Sequence, residues 1–254
     1  PFQGVLGNFN HTGRIISIRI LQHYVRKNNY HTDMKRKNFK HWGLFIALQF
    51  ITLSLFAQGP NNTGTYYQNA NGKKGKALKT AMFNIIKTHE ELSYKGLWTA
   101  FRTTDMREDG KVWDMYSCTT NYRFGTDQAG SYKKEGDAYN REHSFPKSWF
   151  SEATPMYTDL VHLVPTDGKV NGMRSNYPFG ETDGGKYKSN EGFSKLGSCT
   201  YPGYTGIVFE PNDMYKGDFA RIYFYMATAY EDKIANWSDS EFSKIASHDS
   251  YKPY

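Results

Sequence analysis

The chain has 254 residues, of which 17% are aromatic, and this supply of large side chains excludes a mainly disordered protein. Its formal net charge is +7, but residues 1–57 hold eight of the 32 Lys and Arg and one of the 25 Asp and Glu. Residues 58–254 therefore carry 24 side chains of each sign, which excludes bulk positive charge as an argument for a nucleic-acid partner. Local chemistry has to indicate the function.

The first predicted element is a signal peptide over residues 34–57. From Met34 a basic run leads into a mostly apolar run that ends at Phe56, and Ala57 follows. This order is typical of a signal peptide, and the apolar run is shorter than the ~20 residues that span a bilayer. An uncleaved membrane anchor and a buried core helix are the alternatives. Residues 1–33 are interpreted as a leader or a misplaced start with no fold of its own.

Residues 58–254 are predicted to form one α+β domain in which helices frame an irregular centre. Apolar residues at helical spacing predict one helix over Lys76–Leu92. A second helix is predicted over Phe219–Ile234, with Asp218 as its N-cap. After removal of the signal peptide, this domain is expected to be secreted or periplasmic and to have no stable association with the membrane.

The remaining segments carry turn signals rather than helical spacing. Between residues 96 and 137, short aromatic runs such as GLWTAF and KVWDMYS alternate with turn signals, which predicts strands, hairpins and loops. Residues 180–211 are rich in glycine and are predicted to be irregular. In an oxidising compartment Cys118 and Cys199 could form a disulfide, although two free buried thiols would look the same in the sequence.

Polar side chains with catalytic potential are concentrated between Tyr139 and Tyr177. Those considered are Arg141, Glu142, His143, Asp159, His162, Asp167, Asn171, Arg174 and Asn176. Apolar residues interrupt this series, and such a mixture suits a rigid scaffold that presents polar groups. Phosphodiester hydrolysis needs a base, a hard divalent cation and a positive group near the phosphate, and this segment contains candidates for all three functions.

His143 is the candidate base, because an unperturbed histidine has a pKa of about 6.5. Oxygen atoms of Glu142 and Asn171 are hard ligands, which favour Mg²⁺, with Mn²⁺ or Ca²⁺ as alternatives. If the DGKVNGMRSN run is a helix, Asn171 and Arg174 share one face, and Arg174 could contact a phosphate beside the metal. Glu142 and His143 are neighbours, so they can share a site only if their strand ends or bends, which Pro146 makes plausible.

Each of these motifs also has an ordinary structural explanation. An adjacent Glu-His pair is usually two surface residues, and VNGMRSN can be an asparagine-rich turn. His162 is predicted to be a buried, hydrogen-bonded histidine, with orientation of His143 or of the metal ligands as the functional alternative. Asp159 is predicted to be an N-cap or a loop acceptor. The conjunction of the motifs favours the functional interpretation.

The ordered set REHSFP, DLVHLVP, GKVNGMRSN and FEPNDMYKGDFARIYFYM resembles the endonuclease I family of secreted bacterial nucleases. That family belongs to the His-Me finger (ββα-metal) nucleases, and the resemblance runs from about Tyr66 to Asp232. It implies that His143 is the general base, that Glu142 and Asn171 bind Mg²⁺, and that cleavage of DNA, and often RNA, leaves 5′-phosphate ends. It also implies support of the site by the EPxDxxKGDxAR run. The residues concerned are Glu210, Lys216, Asp218 and Arg221.

Two features depart from the family pattern. Some members carry a product-stabilising arginine between the Glu-His pair and the DLVHL-like segment, but here the 15 residues between His143 and Asp159 include no arginine. Arg174 or Arg141 would have to take that role. Members typically continue into further helix and a closing Asn-Arg-Asn-Pro-Phe-like motif, whereas this sequence ends at YKPY, so it is expected to be truncated at its C-terminus.

The sequence thus predicts a secreted, sequence-nonspecific endonuclease that uses one metal ion and a histidine base. It is expected to contact DNA, and RNA as well, through phosphates rather than base edges. Asp159, His162 and Asn176 are expected to support the site. Two rivals stay open: a secreted carbohydrate-binding module that stacks sugars on its Tyr and Trp rings, and a hydrolase of other phosphoesters.

Overall fold

The computed structural model describes residues 64–119, 121–128, 130–237, 246–247 and 250–251. The predicted leader and signal peptide lie outside the described residues. The chain divides after Glu90 into two compact units. Within the described ranges, no helix combines the length and the apolar character that a membrane span requires.

The described part of the first unit contains a 3₁₀ turn, Gln68–Ala70, and helix α1, Gly75–Ile86. The predicted helix at this place is confirmed, but it ends at Ile86 rather than at Leu92. Residues 87–91 are all polar, and a helix in a protein depends on burying an apolar face. The Lys87 N–H donates to the carbonyl of Phe83 and closes the last turn.

The second unit begins with helix α2, Leu97–Thr104, where the sequence analysis wrongly predicted a strand. Three of its residues, Leu97, Phe101 and Thr104, are buried, and their spacing of four and three is helical. The run was too short for that period to stand out against its aromatic composition. From Asp105 to Ala138 the described residues form turns, with an isolated bridge between Met106 and Val112 in place of the predicted hairpins.

The centre of the unit is an antiparallel pair of strands followed directly by a helix. Strand β1, Tyr139–His143, pairs with β2, Leu163–Asp167, so that His143 lies opposite Leu163. Helix α3, Gly168–Arg174, follows at once and confirms the helix that was conditionally predicted there. Asp167 begins this helix, because its carboxylate accepts the backbone N–H groups of Lys169 and Val170.

A three-stranded antiparallel sheet follows, where the sequence analysis wrongly predicted irregular structure. Its strands are β3, Tyr187–Lys188, β4, Lys195–Ser198, and β5, Ile207–Glu210, with β4 in the middle. Strand β4 contains a glycine, Gly197, because a neighbouring loop packs too closely there to leave room for a side chain. A Cβ at Gly197 would lie 2.5 Å from Thr182 Oγ1 and 2.8 Å from the Gly185 nitrogen.

Helix α4, Asp213–Ala229, is the longest helix described. The predicted N-cap at Asp218 is wrong: Asn212 caps the helix and accepts the Met214 N–H, and Asp218 is buried inside it. Gly217 lies in the interior of this helix, although a glycine usually weakens a helix there. The helix ends at Ala229 rather than at Ile234. Two short paired strands, β6, Ala246–Ser247, and β7, Ser250–Tyr251, complete the described elements.

The main core of this unit joins α4, the three-stranded sheet and the strand pair. Its buried members are Met115, Tyr116, Val164, Val170, Leu196, Phe209, Tyr215, Phe219 and Ile222. The two cysteines do not form the disulfide that export would permit. Both are free thiols, and Cys118 Sγ contacts the Asn190 carbonyl while Cys199 Sγ contacts that of Tyr201.

Substitution of Asp167, the N-cap of α3, tests this description of how the helix begins. Asp167 is fully buried, and besides capping the helix it accepts the Gly136 N–H at 2.7 Å and the Tyr122 hydroxyl. We expect Asp167→Ala to lower the free energy of unfolding in urea by about 2–4 kcal/mol. Asn212→Ala removes a single capping bond of α4 and should cost about 1 kcal/mol. Equal losses in the two variants would contradict this account of Asp167.

Candidate active site

His143 is the last residue of β1, and its side chain is buried, with the residue 5% exposed. Its Nε2 atom lies 3.0 Å from the backbone carbonyl oxygen of Tyr157. A carbonyl can only accept a hydrogen bond, so Nε2 carries the proton of the neutral ring. The Nδ1 atom is therefore the one with a free lone pair, and it is the atom that could take a proton from water.

The charge state of His143 follows from its surroundings. The pKa of His143 is lowered to about 3, chiefly by burial and secondly by the neighbouring His162. The two imidazole rings lie 5.5 Å apart between centroids, so neither favours a charge on the other. His143 is consequently neutral near pH 7, which is the form that a general base needs.

One short turn orients both histidines. The 3₁₀ turn Met156–Thr158 offers the Tyr157 carbonyl to His143 and the Met156 carbonyl to Nε2 of His162, at 2.7 Å. His162 is fully buried, and its predicted nature as a hydrogen-bonded histidine is confirmed. The same turn brings the Tyr157 ring 5.1 Å from His143, between centroids, and stacked on it.

Glu142 is buried beside a different set of groups. Its Oε1 atom accepts the Tyr116 hydroxyl at 2.8 Å and pairs with Nη1 of Arg174 at 2.7 Å. Burial raises the pKa of Glu142, and Arg174 and Tyr116 oppose that shift. These contacts end on Oε1, so they leave Oε2 as the oxygen to consider for a cation.

Arg174 was predicted to contact a phosphate, but its side chain is 1% exposed and its described partners are protein groups. Besides Glu142, it donates to the carbonyls of His143 and Ser144 at 2.9 and 2.6 Å, and Nη2 lies 3.5 Å from the Tyr223 hydroxyl. These carbonyls belong to the end of β1. The placement favours a structural function for Arg174 over direct contact with substrate.

Neighbouring strand residues alternate between faces, and the contacts of β1 follow that rule. Asn140 and Glu142 contact α3, whereas Arg141 and His143 contact Tyr94 on the other side. The strand does end at His143, as the sequence analysis required for a shared site. The contacts described for the Glu142 and His143 side chains nevertheless do not overlap.

Asn171 lies one turn before Arg174 on α3 and contacts the same strand. Its Nδ2 donates to Asn140 Oδ1 at 2.6 Å, so its own Oδ1 is the remaining polar atom. Asn171 contacts Asn140, and Arg174 contacts Glu142. Helix α3 therefore places the Asn171 amide against the face of β1 that carries the Glu142 carboxylate. Both are hard ligands that fit Mg²⁺.

A complete protein cage for a metal is not found in the described part of the chain. In that part of the chain, no three or more His, Cys, Asp or Glu side chains form a group that could hold a metal ion. This is compatible with Mg²⁺, which commonly takes one or two protein oxygens and completes its shell with water and substrate phosphate.

Arg141, the other predicted cationic residue, lies on the His143 side of β1. Its guanidinium is 3.5 Å from the centroid of the Tyr94 ring and 4.3 Å from that of Trp98. Nη1 also donates to the Tyr94 carbonyl at 2.7 Å. Arg141 is therefore held in place by aromatic rings beside the histidine, and its predicted contact with phosphate stays a prediction.

The predicted supporting residues occupy different places. Asp159 is the expected loop acceptor: it accepts the Val161 N–H and the hydroxyls of Tyr225 and Tyr230, and so ties this loop to the second half of the unit. Asn176 Nδ2 contacts Ser148 Oγ at 3.4 Å.

The EPxDxxKGDxAR run lies at the junction of β5 and α4. Glu210 pairs with Lys195 and Lys216, and Arg221 pairs with Asp218 on the same helix. The described polar contacts of these residues do not include the side chains of His143, Glu142 or Asn171. Their support of the site stays a prediction. Helix α4 does contact the end of β1 through the Tyr223 hydroxyl, which donates to the Ser144 carbonyl at 3.1 Å.

The sequence analysis missed Tyr116, Tyr157, Tyr223 and Tyr94. Tyr157 acts through its carbonyl, which no side-chain motif can reveal. Tyr116 lies in the aromatic run that had been read as a strand, and Tyr223 lies on the apolar face of the predicted second helix. Tyrosine is common in this chain, with 20 residues, so composition gave no reason to select these four.

These observations describe an α+β protein whose strand–strand–helix unit presents a neutral, buried histidine on one face and hard oxygen ligands on the other. A family model described as Endonuclease I matches residues 74–253. The chain therefore belongs to the endonuclease I family.

Individual relatives agree with the family match. The chain is 39% identical over 198 residues to an extracellular ribonuclease of Bacillus amyloliquefaciens, which covers 73% of this chain and 64% of that protein. It is 38% identical over 174 residues to an extracellular ribonuclease of Bacillus subtilis, with 67% and 55% covered. It is 35% identical over 79 residues to an Endonuclease-1 of Buchnera aphidicola, with 31% and 30% covered. The chain thus spans under two thirds of the length of both ribonucleases.

Proposed function

We propose that the chain is a secreted endonuclease without base-sequence specificity that hydrolyses phosphodiester bonds with His143 as general base. The observation that carries the proposal is the hydrogen bond between His143 Nε2 and the Tyr157 carbonyl, because it assigns the proton to Nε2 and leaves Nδ1 basic. His143 would take a proton from water, and the resulting hydroxide would attack phosphorus in line. The product would carry a 5′-phosphate.

The strand–strand–helix unit formed by β1, β2 and α3 supports the assignment of a His-Me finger. In that arrangement Glu142 and Asn171 would hold the divalent cation, Mg²⁺ in the first place. When bound, the cation supplies neutralisation of the phosphate and of the leaving oxygen. Arg174 would hold Glu142 and the end of β1 in position, since its guanidinium joins the Glu142 carboxylate to the carbonyls of His143 and Ser144.

We propose RNA and DNA as substrates. Two relatives are named extracellular ribonucleases and one is named an endonuclease, so the names favour RNA without arguing against DNA. Residues 58–254 are formally neutral, which favours local contacts with phosphates over a broad basic surface. The names of the ribonucleases also support secretion.

The direct test incubates the full chain with supercoiled plasmid and with a folded RNA, each with Mg²⁺ and with EDTA. We expect cleavage of at least one substrate with Mg²⁺ and 5′-phosphate ends, detected by labelling with and without prior phosphatase treatment. Carbohydrate binding without cleavage would contradict the proposal, as would cleavage that is equally fast in EDTA.

The metal ligands can be tested by a titration. We expect Asn171→Ala to need about tenfold or more Mg²⁺ for half-maximal cleavage, because it removes one of two hard protein ligands. Asn84→Ala, an exposed asparagine on α1, is the matched control and should titrate like the parent. Equal Mg²⁺ requirements for the two variants would remove Asn171 from the metal site.

A further inference from the structure

A nuclease site needs a cation that can reach the substrate phosphate, and the two arginines predicted for that purpose are both engaged elsewhere. Arg174 is buried against Glu142, and Arg141 is held between the Tyr94 and Trp98 rings. Lys147 differs from both, because its side chain is 42% exposed and lies beside the candidate base. We propose that Lys147 binds the scissile or the adjacent phosphate and is the principal phosphate-binding cation of this site.

The position of Lys147 relative to His143 is the main support for this proposal. Lys147 begins the 3₁₀ turn Lys147–Phe150, four residues after His143. Its ammonium lies 5.7 Å from the centroid of the Tyr157 ring, and that ring stacks on His143 with a centroid separation of 5.1 Å. The Tyr157 ring therefore lies next to both the Lys147 ammonium and the His143 imidazole, on the His143 side of β1.

The ion pair that Lys147 forms with Glu152 leaves N–H donors of the ammonium available to a phosphate. Glu152 Oε1 lies 2.7 Å from Nζ, and the Glu152 side chain is 54% exposed. An exposed ion pair of this kind contributes at most about 1 kcal/mol, so it is readily shared with a phosphate. An ammonium has three N–H donors, and Glu152 uses one of them.

The proposal rests on the nuclease function and is tested with four variants of the full chain. Lys147→Ala removes the ammonium, and Lys147→Arg keeps a cation. Glu152→Ala breaks the same ion pair but keeps the ammonium. Lys233→Ala is the matched control, because Lys233 is 44% exposed and pairs with Asp232 at 3.0 Å. Each variant is assayed on one RNA and one DNA substrate over a range of NaCl concentrations.

We expect Lys147→Ala to lower kcat/KM by about 10- to 100-fold, since a charge-assisted bond to phosphate is lost. The slope of log(kcat/KM) against log[NaCl] should fall by about one. Lys147→Arg should retain most of the activity, and Glu152→Ala and Lys233→Ala should match the parent.

Two results would overturn the assignment. One is a Lys147→Ala variant that behaves like Lys233→Ala. The other is a Glu152→Ala variant that loses as much activity as Lys147→Ala, which would show that the ion pair matters only for structure.

A binding arm separates failure of this proposal from failure of the nuclease function. Lys147→Ala and Lys233→Ala are each combined with His143→Ala, and binding of a fluorescent single-stranded RNA is measured with EDTA present. If the parent chain does not cleave, the nuclease proposal fails. Lys147 is then judged by whether its removal weakens binding and lowers the salt slope relative to Lys233→Ala. A parent chain that does not cleave and variants that do not bind would together overturn both proposals.

Discussion

Replacing His143 with alanine is expected to lower the rate of cleavage by about 10²- to 10⁴-fold, the usual contribution of a general base. The reason is the assignment of protons on the ring. With Nε2–H bound to the Tyr157 carbonyl at 3.0 Å, Nδ1 is the group available to activate water. Burial keeps the ring neutral, since it lowers the pKa of His143 to about 3.

A second substitution distinguishes loss of the base from loss of the fold. His143→Gln can still donate a hydrogen bond towards the Tyr157 carbonyl but offers no comparable base, so it should be about as inactive as His143→Ala. His89→Ala serves as the control for histidine removal and should cleave like the parent. Circular dichroism and urea unfolding report whether the variants remain folded. A folded His143→Ala variant with parental activity would refute the assignment.

The same histidine gives a prediction for stability against pH. In the unfolded chain a histidine has a pKa of about 6.5, whereas folded His143 has a pKa of about 3. Between these values the unfolded chain binds a proton that the folded chain does not, so the stability present above about pH 6.5 falls as the pH decreases towards about 3. His143→Gln should lose less stability than the parent over this range, as measured by urea unfolding at several pH values. Parallel losses would contradict the burial of a neutral His143.

Arg174→Ala is expected to lower the free energy of unfolding by about 3–5 kcal/mol, because it leaves a buried carboxylate without its counter-ion. The variant removes the 2.7 Å pair with Glu142 together with the donors for the carbonyls of His143 and Ser144. Arg221→Ala is the matched control: Arg221 is 60% exposed, and its pair with Asp218 should be worth at most about 1 kcal/mol. Urea unfolding of both variants gives the comparison.

The pH dependence of the Arg174→Ala effect identifies its cause. Burial already raises the pKa of Glu142, and loss of Arg174 removes a group that opposes this shift. A carboxyl whose pKa is raised on folding favours the folded state at low pH and loses that contribution as the pH rises. The destabilisation should therefore be smaller at about pH 5 than at about pH 8. A loss that is independent of pH, or no larger than that of Arg221→Ala, would contradict the buried pair.

Several elements were predictable because their signals are local. The polar concentration between residues 139 and 177 marked the region that contains the candidate site, and the spacing of three between Asn171 and Arg174 suited the helix α3. Elements with weak local signals were predicted wrongly. Helix α2 has only three buried positions, and α4 begins at Asp213, before its predicted N-cap at Asp218.

By itself the sequence determined which residues are chemically able to form a site: a histidine, hard oxygen ligands and a few cations in one segment. Only the tertiary structure decided how each is used. Arg174 contacts Glu142, His143 and Ser144, which lie 30 to 32 positions earlier in the sequence. These contacts bury its guanidinium as the counter-ion of Glu142, although residue type alone makes it a candidate phosphate ligand. The protonation of His143 depends on a backbone carbonyl, which every residue possesses and which no motif can mark. Residue type limits chemistry locally, whereas burial and partners arise from packing between segments that are distant in the chain.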